Sequence, residues 1–285
     1  MKTVVSLLLH HLGAWRSDRR VHAAFLLGIA LCITPVSRYM AYARVMGSAV
    51  PIWEPFIYMG STVPSLTGIF LGVLLLMSDA PFLCERSPYE ILRTGKRSWI
   101  AANILYVFIS CLLYMMVILA VTMLISCTAG SITWDNYWSA AMETLAEKQP
   151  DFVVITYKIK FPYPEWINSV SPVTALLQTF LYNGLYMAVI SLCFFCVNLR
   201  SHINCGWLVG AVVHVVGYVI YANGPLFFPQ KCSLLACSVP AFHYAEEYGI
   251  SNAYAAVFLC TLAAALVFLT QRASARVEPF QKCQS

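Results

Sequence analysis

The stretch SDAPFLCERSPYEILRTGKRSWIA, Ser78 to Ala101, carries seven charged residues: Asp79, Glu85, Arg86, Glu90, Arg93, Lys96 and Arg97. In a chain of 285 residues with 18 Lys and Arg and 13 Asp and Glu, so dense a cluster must face water. Long apolar runs lie on both sides of it, and those runs decide the fold. Hydrophobic residues make up 60% of the chain, charged ones 11%, and the mean hydropathy is +0.70. That is the composition of an integral membrane protein, not of a soluble domain. No stretch is polar enough to fold as a separate catalytic domain, so residues 1–285 are read as a single unit.

A helix needs about 20 mostly apolar residues to cross the hydrocarbon core. Six intervals between charged residues qualify. Val21–Ser37 is the shortest, and Pro55–Ser78 follows. Ser98–Trp134 is apolar chiefly from Trp99 to Cys127, and Trp166–Leu199 from Val173 to Val197. The fifth interval centres on Trp207–Ala222, and the last is Tyr248–Gln271. Runs such as VILAVTMLIS are too continuous for the alternating strands of a barrel. The expected fold is therefore an all-α membrane protein with six transmembrane helices.

Lys and Arg in the loops favour the cytoplasmic side. With the N-terminus inside, the inner segments hold twelve Lys and Arg against five acidic residues, and the outer segments six against eight. Both termini are then cytoplasmic, and the opening stretch, residues 78–98, is an inner loop. The basic balance reflects this asymmetry, so no nucleic-acid partner is expected; the bilayer is.

Residues 1–20 resemble a signal peptide only superficially, because the apolar core Val4–Leu9 is short and basic residues follow it. Lys2, Ser6, His10, Ser17 and Arg20 share one helical face, with Val4, Val5, Leu8, Leu9, Leu12 and Trp15 on the other. That pattern suits a helix lying in the inner interface, although a fraying terminus is the plainer alternative. The outer segment, residues 128–172, has patterning of its own. WDNYWSAAMETLAE reads as an amphipathic helix. VVITYKIKF alternates like a strand, with Val153, Ile155, Tyr157, Ile159 and Phe161 on one side and Thr156, Lys158 and Lys160 on the other. A small extracellular cap is expected, either a packed lid or a gate.

Chemistry-bearing motifs are sparse. Cys193 and Cys196 have metal or redox spacing, but they lie within a span and have no further ligands nearby in sequence, so they are read as apolar side chains. Cys232 and Cys237, in an outer loop, are close enough for a disulfide. Gly206, Gly210 and Gly217 share a helical face with His214, and Gly68 and Gly72 form a second small-residue pair; both are helix-packing signals. His214 either bonds within that packing or lines a translocation path, for which Gln178 and Asn183 are further candidates. No Asp, Glu, Lys or Arg lies in the middle of a span, as an ion-coupled carrier would need. Phosphate-loop, zinc-protease and nucleophile-elbow motifs are absent from the sequence. No catalytic residue, metal or cofactor of its own is therefore assigned to the chain.

Ser87-Pro88-Tyr89-Glu90 combines a capping serine, a proline at the first helical position and a glutamate three residues after the cap. Gly95 then stops the helix. Two turns are too short to be stable alone, so a partner is expected to hold them. A short capped helix of this kind, followed by basic residues and Trp99, resembles the coupling helix of an ABC transporter permease. The stretch Ser78–Ala101 is similar to the loop between helices two and three of bacterial ABC-2 type permeases. The interfacial N-terminal helix, six spans, small outer element and chain length extend the likeness.

The resemblance implies the transmembrane subunit of an ATP-driven exporter in a bacterial plasma membrane. It would form a homo- or heterodimer with a second permease subunit and couple to separate ABC ATPase subunits, which carry the ATP and Mg. Glu85, Ser87, Tyr89, Glu90, Ile91, Leu92, Arg93, Lys96 and Arg97 would then dock the ATPase, unless this is only a solvated basic loop. The family moves peptides, lipids, glycans, drugs or ions, or confers self-immunity. This sequence departs from the glycan and sterol exporters in its short helix-two to helix-three loop and lack of a fused ATPase, so the resemblance implies peptide, antimicrobial, drug or lipid export, or immunity. The alternative is a non-transporting membrane scaffold or a membrane-embedded enzyme.

Overall fold

The computed structural model describes residues 2–78, 87–129, 131–201, 205–223 and 230–274. Among the described residues four helices are long and apolar enough to cross a membrane: α2 (Arg19–Val45), α6 (Lys96–Ala129), α10 (Pro172–Ser201) and α13 (Asn252–Ser274). The architecture fits an all-α membrane protein with four candidate spans among the described residues, or five if α3 (Glu54–Ser61) and α4 (Val63–Met77) together make one span. The expected second span is thus not a straight helix, because α3 and α4 meet at 89°. The expected fifth is α11 (Gly206–Asn223), which is apolar but shorter than the other four.

The break in the second span has a local cause. Pro64 has no N–H to offer the Gly60 carbonyl and its ring crowds that carbonyl, so a helix continued through this point would lose a hydrogen bond. Thr62 is extended (φ −108°, ψ 123°), and α4 restarts with Pro64 in its first turn. The stranded Gly60 carbonyl instead accepts from Asn183 Nδ2 at 2.9 Å. Irregular backbone at membrane depth is tolerated only where protein surrounds it, and every residue of α3 is buried.

At one end of the bundle, α1 (Lys2–Ala14) and α5 (Ser87–Thr94) pack beside the start of α6. The buried face of α1 is rotated from the sequence expectation. Leu7, Leu8 and His11 are buried, whereas Val5 and Leu9 are exposed. The rotation lets α1 lie on α6, and the following Trp15 donates from Nε1 to Tyr106 Oη at 2.8 Å.

At the other end, residues 131–169 form a cap of α7 (Ala140–Glu147), α8 (Asp151–Thr156) and α9 (Pro164–Ser169). The amphipathic segment supplies only α7, because Ser139 caps it by accepting from Met142 N at 3.1 Å. VVITYKIKF is not a strand. Its first half belongs to α8, and Lys158 turns the chain at φ +54°. Alternation survives only from Lys158 to Phe161, where Ile159 and Phe161 are buried and Lys158 and Lys160 exposed. A two-residue parallel pairing of Val50–Pro51 with Ile132–Thr133 ties the cap to the α2–α3 turn. Residues 230–248, with α12 (Leu234–Ser238) and three short 3-10 turns, complete this end.

Candidate functional site

The helix read from Ser87-Pro88 to Gly95 occurs with those bounds. α5 spans Ser87–Thr94, Gly95 follows at φ +80°, and α6 begins at Lys96. Ile91 is buried against the chain's own core, and Trp99 Nε1 donates to Glu90 Oε2 at 3.3 Å. These two contacts fix a helix too short to be stable by itself. Ile91 is accordingly an internal anchor and not a docking surface. Tyr89 and Leu92 point outward, 74% and 60% exposed, with Arg93 and Arg97 also exposed and Lys96 half-buried. Glu85 lies outside the described residues, as does the side chain of Ser87.

The surface this creates is an apolar pair ringed by cations, held rigidly at the bundle's basic end. A cleft between α5 and α1 is lined by Glu90, Arg93, Lys2 and His10. Neighbouring His11 is held below its ordinary value of 6.5 by burial, with Glu90 opposing and His10 adding to the shift.

The three candidates for a translocation path do not share a lumen. Asn183 is used at the α3–α4 break. Gln178 accepts from Trp166 Nε1 at 3.3 Å and donates to Tyr244 Oη at 2.8 Å, which ties α10 to the cap. It also borders a largely apolar groove of about 490 Å³ between α6, α10 and α13. His214 stacks on Phe70 at 4.1 Å, with Tyr186 Oη 2.6 Å from Nδ1 and Thr67 Oγ1 3.0 Å from Nε2. Thr67 donates its own hydrogen to Val63 O at 2.9 Å. Its oxygen therefore accepts from His214 Nε2–H, and Nδ1 accepts from Tyr186. Both ring nitrogens are thereby engaged in joining α4, α10 and α11.

The glycines sit where helices approach. A Cβ on Gly206 would lie 2.5 Å from the Phe194 carbonyl of α10, and one on Gly210 would enter the Phe194 ring. Gly217 faces Leu235 of α12, Gly68 faces Leu31 of α2, and Gly72 receives the Tyr114 hydroxyl together with Gly28. Tyr114 donates from there to Ile69 O at 3.1 Å.

One buried polar cluster escaped sequence reasoning. Glu54, with no exposed surface, accepts from the Tyr39 hydroxyl, from Ser139 Oγ at 2.5 Å and from Ser139 N at 3.2 Å. As the charged residue bordering an apolar interval, Glu54 reads in sequence as an interfacial marker. Nothing local says that Ser139, 85 residues away, folds over it.

Among the described residues no group of three or more His, Cys, Asp or Glu could hold a metal ion. Cys193 and Cys196 are half-buried free thiols, and Cys232 and Cys237 are free as well. No protein-family model, curated protein or solved structure matches the chain.

Proposed function

We propose that the chain is the membrane-embedded subunit of an ATP-driven exporter of the ABC-2 type, with α5 as the element that docks a separate ATPase subunit. In this reading α3–α4 is the second and α11 the fifth of six spans. A second permease subunit completes the path, ATP and Mg sit on the ATPase, and both chain ends face the cytoplasm of a bacterial cell. The observation that carries the proposal is the division of α5 into two faces. Ile91 and Glu90 fasten it to the bundle, while Tyr89 and Leu92 project from it with a rim of Arg93, Lys96 and Arg97.

A force-transmitting contact needs this combination. A rigid mounting passes movement into α6 through Gly95, and an exposed aromatic–aliphatic pair provides the desolvated centre in which interface energy concentrates. The basic rim selects and orients an acidic partner surface.

The test is affinity purification of the tagged chain from its own host, followed by assay of bound ATPase activity. The parent should bring down an ATPase. Tyr89→Ala/Leu92→Ala should bring down at least about tenfold less, since truncating hot-spot side chains commonly costs that much affinity. Its yield in the membrane should be unchanged, because neither side chain is buried. A parent preparation free of ATPase, or a double variant that retains as much as the parent, rules the proposal out.

A further inference from the structure

We propose that the cavity beneath the cap binds an anionic amphiphile, with its charged head among Arg38, Lys158 and Lys160 and its apolar part along Leu31 and Pro35. This inference is independent of the docking of any ATPase at the other end of the bundle.

The cavity, about 520 Å³, lies where α2, the first turn of α4 and the chain between α8 and α9 converge. Six Lys and Arg belong to the segments at this end of the molecule, and three of them line this one space. The same segments carry eight acidic residues, and none of those lines it. Among the described residues no carboxylate lies within ion-pair distance of Arg38, Lys158 or Lys160. Three cations gathered without a counter-charge repel one another, and a bound anion relieves that repulsion.

The backbone adds to the same field. Thr62, Val63, Pro64 and Ser65, the N-cap and first turn of the 15-residue α4, line the cavity. The Thr62 side chain makes no cap to that turn and instead donates to Ser65 Oγ at 2.9 Å. An uncapped helix start presents N–H groups and the positive end of the helix dipole to whatever occupies the space. Lys158, at φ +54°, holds a left-handed conformation that a residue with a side chain seldom adopts. Lys158, Ile159 and Lys160 all line the cavity, the two lysines exposed and Ile159 buried between them.

The remaining lining decides between a small anion and an amphiphile. Leu31, Pro35, Val154 and Pro162 are apolar, and Leu31 is exposed on the surface of the apolar helix α2. A site for a free inorganic anion has no use for that wall. An acyl or prenyl phosphate, a phospholipid headgroup with its chain, or a fatty acid would use both halves.

Native mass spectrometry of the purified protein, released from a neutral maltoside detergent, tests the proposal. Dodecyl phosphate should bind one per chain. Arg38→Gln/Lys158→Asn/Lys160→Gln should weaken it at least about tenfold, as expected when charge-assisted hydrogen bonds are removed; Asn at position 158 tolerates the left-handed backbone. For the parent, retention should fall as ionic strength rises, a readout that needs no variant to fold. Extraction from bilayers of equal phosphatidylglycerol and phosphatidylcholine separates the sources. Selective retention of phosphatidylglycerol assigns the site to a bilayer lipid, and dodecyl phosphate binding without it assigns the site to another anionic amphiphile. Undiminished binding by the triple variant overturns the proposal. So does salt-independent binding, or inorganic phosphate competing as well as dodecyl phosphate.

Discussion

A carboxyl group with no exposed atom must find its hydrogen-bond donors inside the protein, and Glu54 finds them on Tyr39 of α2 and Ser139 of the cap. Because Ser139 also caps α7, one side chain joins a spanning helix, the α3 start and the cap. Glu54→Leu leaves the Ser139 N–H and one hydroxyl buried without an acceptor, since the Tyr39 and Ser139 hydroxyls, 3.2 Å apart, supply one bond between themselves. Each unsatisfied group costs about 1–3 kcal/mol, so the variant should lose several degrees in a thermal unfolding scan in detergent. Glu54→Gln, which keeps one acceptor oxygen for these donors, should lose less. A Glu54→Leu protein as stable as the parent would mean the cluster does not tie the cap down. At this scale the sequence was read only where a residue's meaning is local. Gly95 announced a helix end because its backbone adopts φ +80°. Glu54, Asn183 and Arg38 have meanings set by residues far along the chain, which no local pattern carries.

Elements differ in legibility for the same reason. Proline and glycine act on their own backbone, so the bounds of α5 are legible in the sequence, whereas the burial of Ile91 depends on what α6 presents and is not. Pro64 was equally visible, yet membrane helices often accommodate proline. Whether the helix breaks depends on a donor for the freed carbonyl, and Asn183 supplies it from 123 residues away. The cap end shows how contacts between neighbouring short elements also set stability. His243, buried in a 3-10 turn, has Nδ1 2.8 Å from Asn252 Oδ1 and Nε2 3.1 Å from Cys237 O. Burial holds it below its ordinary value of 6.5, and the bonds to Asn252 and the Cys237 carbonyl only partly offset this. A histidine kept neutral by the fold protonates first in the unfolded chain. Stability from this group is therefore complete above 6.5 and falls as pH drops toward the folded value. Thermal midpoints should decline below pH 6.5, with His11 contributing in the same direction, and His243→Gln should make the decline shallower. An unchanged slope in that variant would remove His243 from the explanation.

For the molecule as a whole, two ends of opposite character follow from the placement of charge. α1 and α5, with the helix ends beside them, carry Lys2, Arg16, Arg19, Arg20, Arg93, Lys96 and Arg97, against Asp18 and Glu90 among the described residues. The cap end carries more acid than base, yet concentrates Arg38, Lys158 and Lys160 around one cavity. By the positive-inside rule the proposed orientation has the first end in the cytoplasm, with the cavity at the outer face and α5 within reach of cytoplasmic partners. Orientation can be measured directly with two exposed positions at opposite ends, Cys232 and Tyr89. In a chain whose other cysteines are replaced, a membrane-impermeant maleimide applied to intact cells should label Cys232. It should leave Tyr89→Cys unlabelled until the membrane is permeabilised. The reverse pattern would invert the protein, carrying the cationic cavity into the cytoplasm and removing α5 from reach of any ATPase there. The reading of α5 as a docking helix would then fail, whereas the anion cavity, which rests on geometry alone, would stand with its ligand drawn from the inner leaflet.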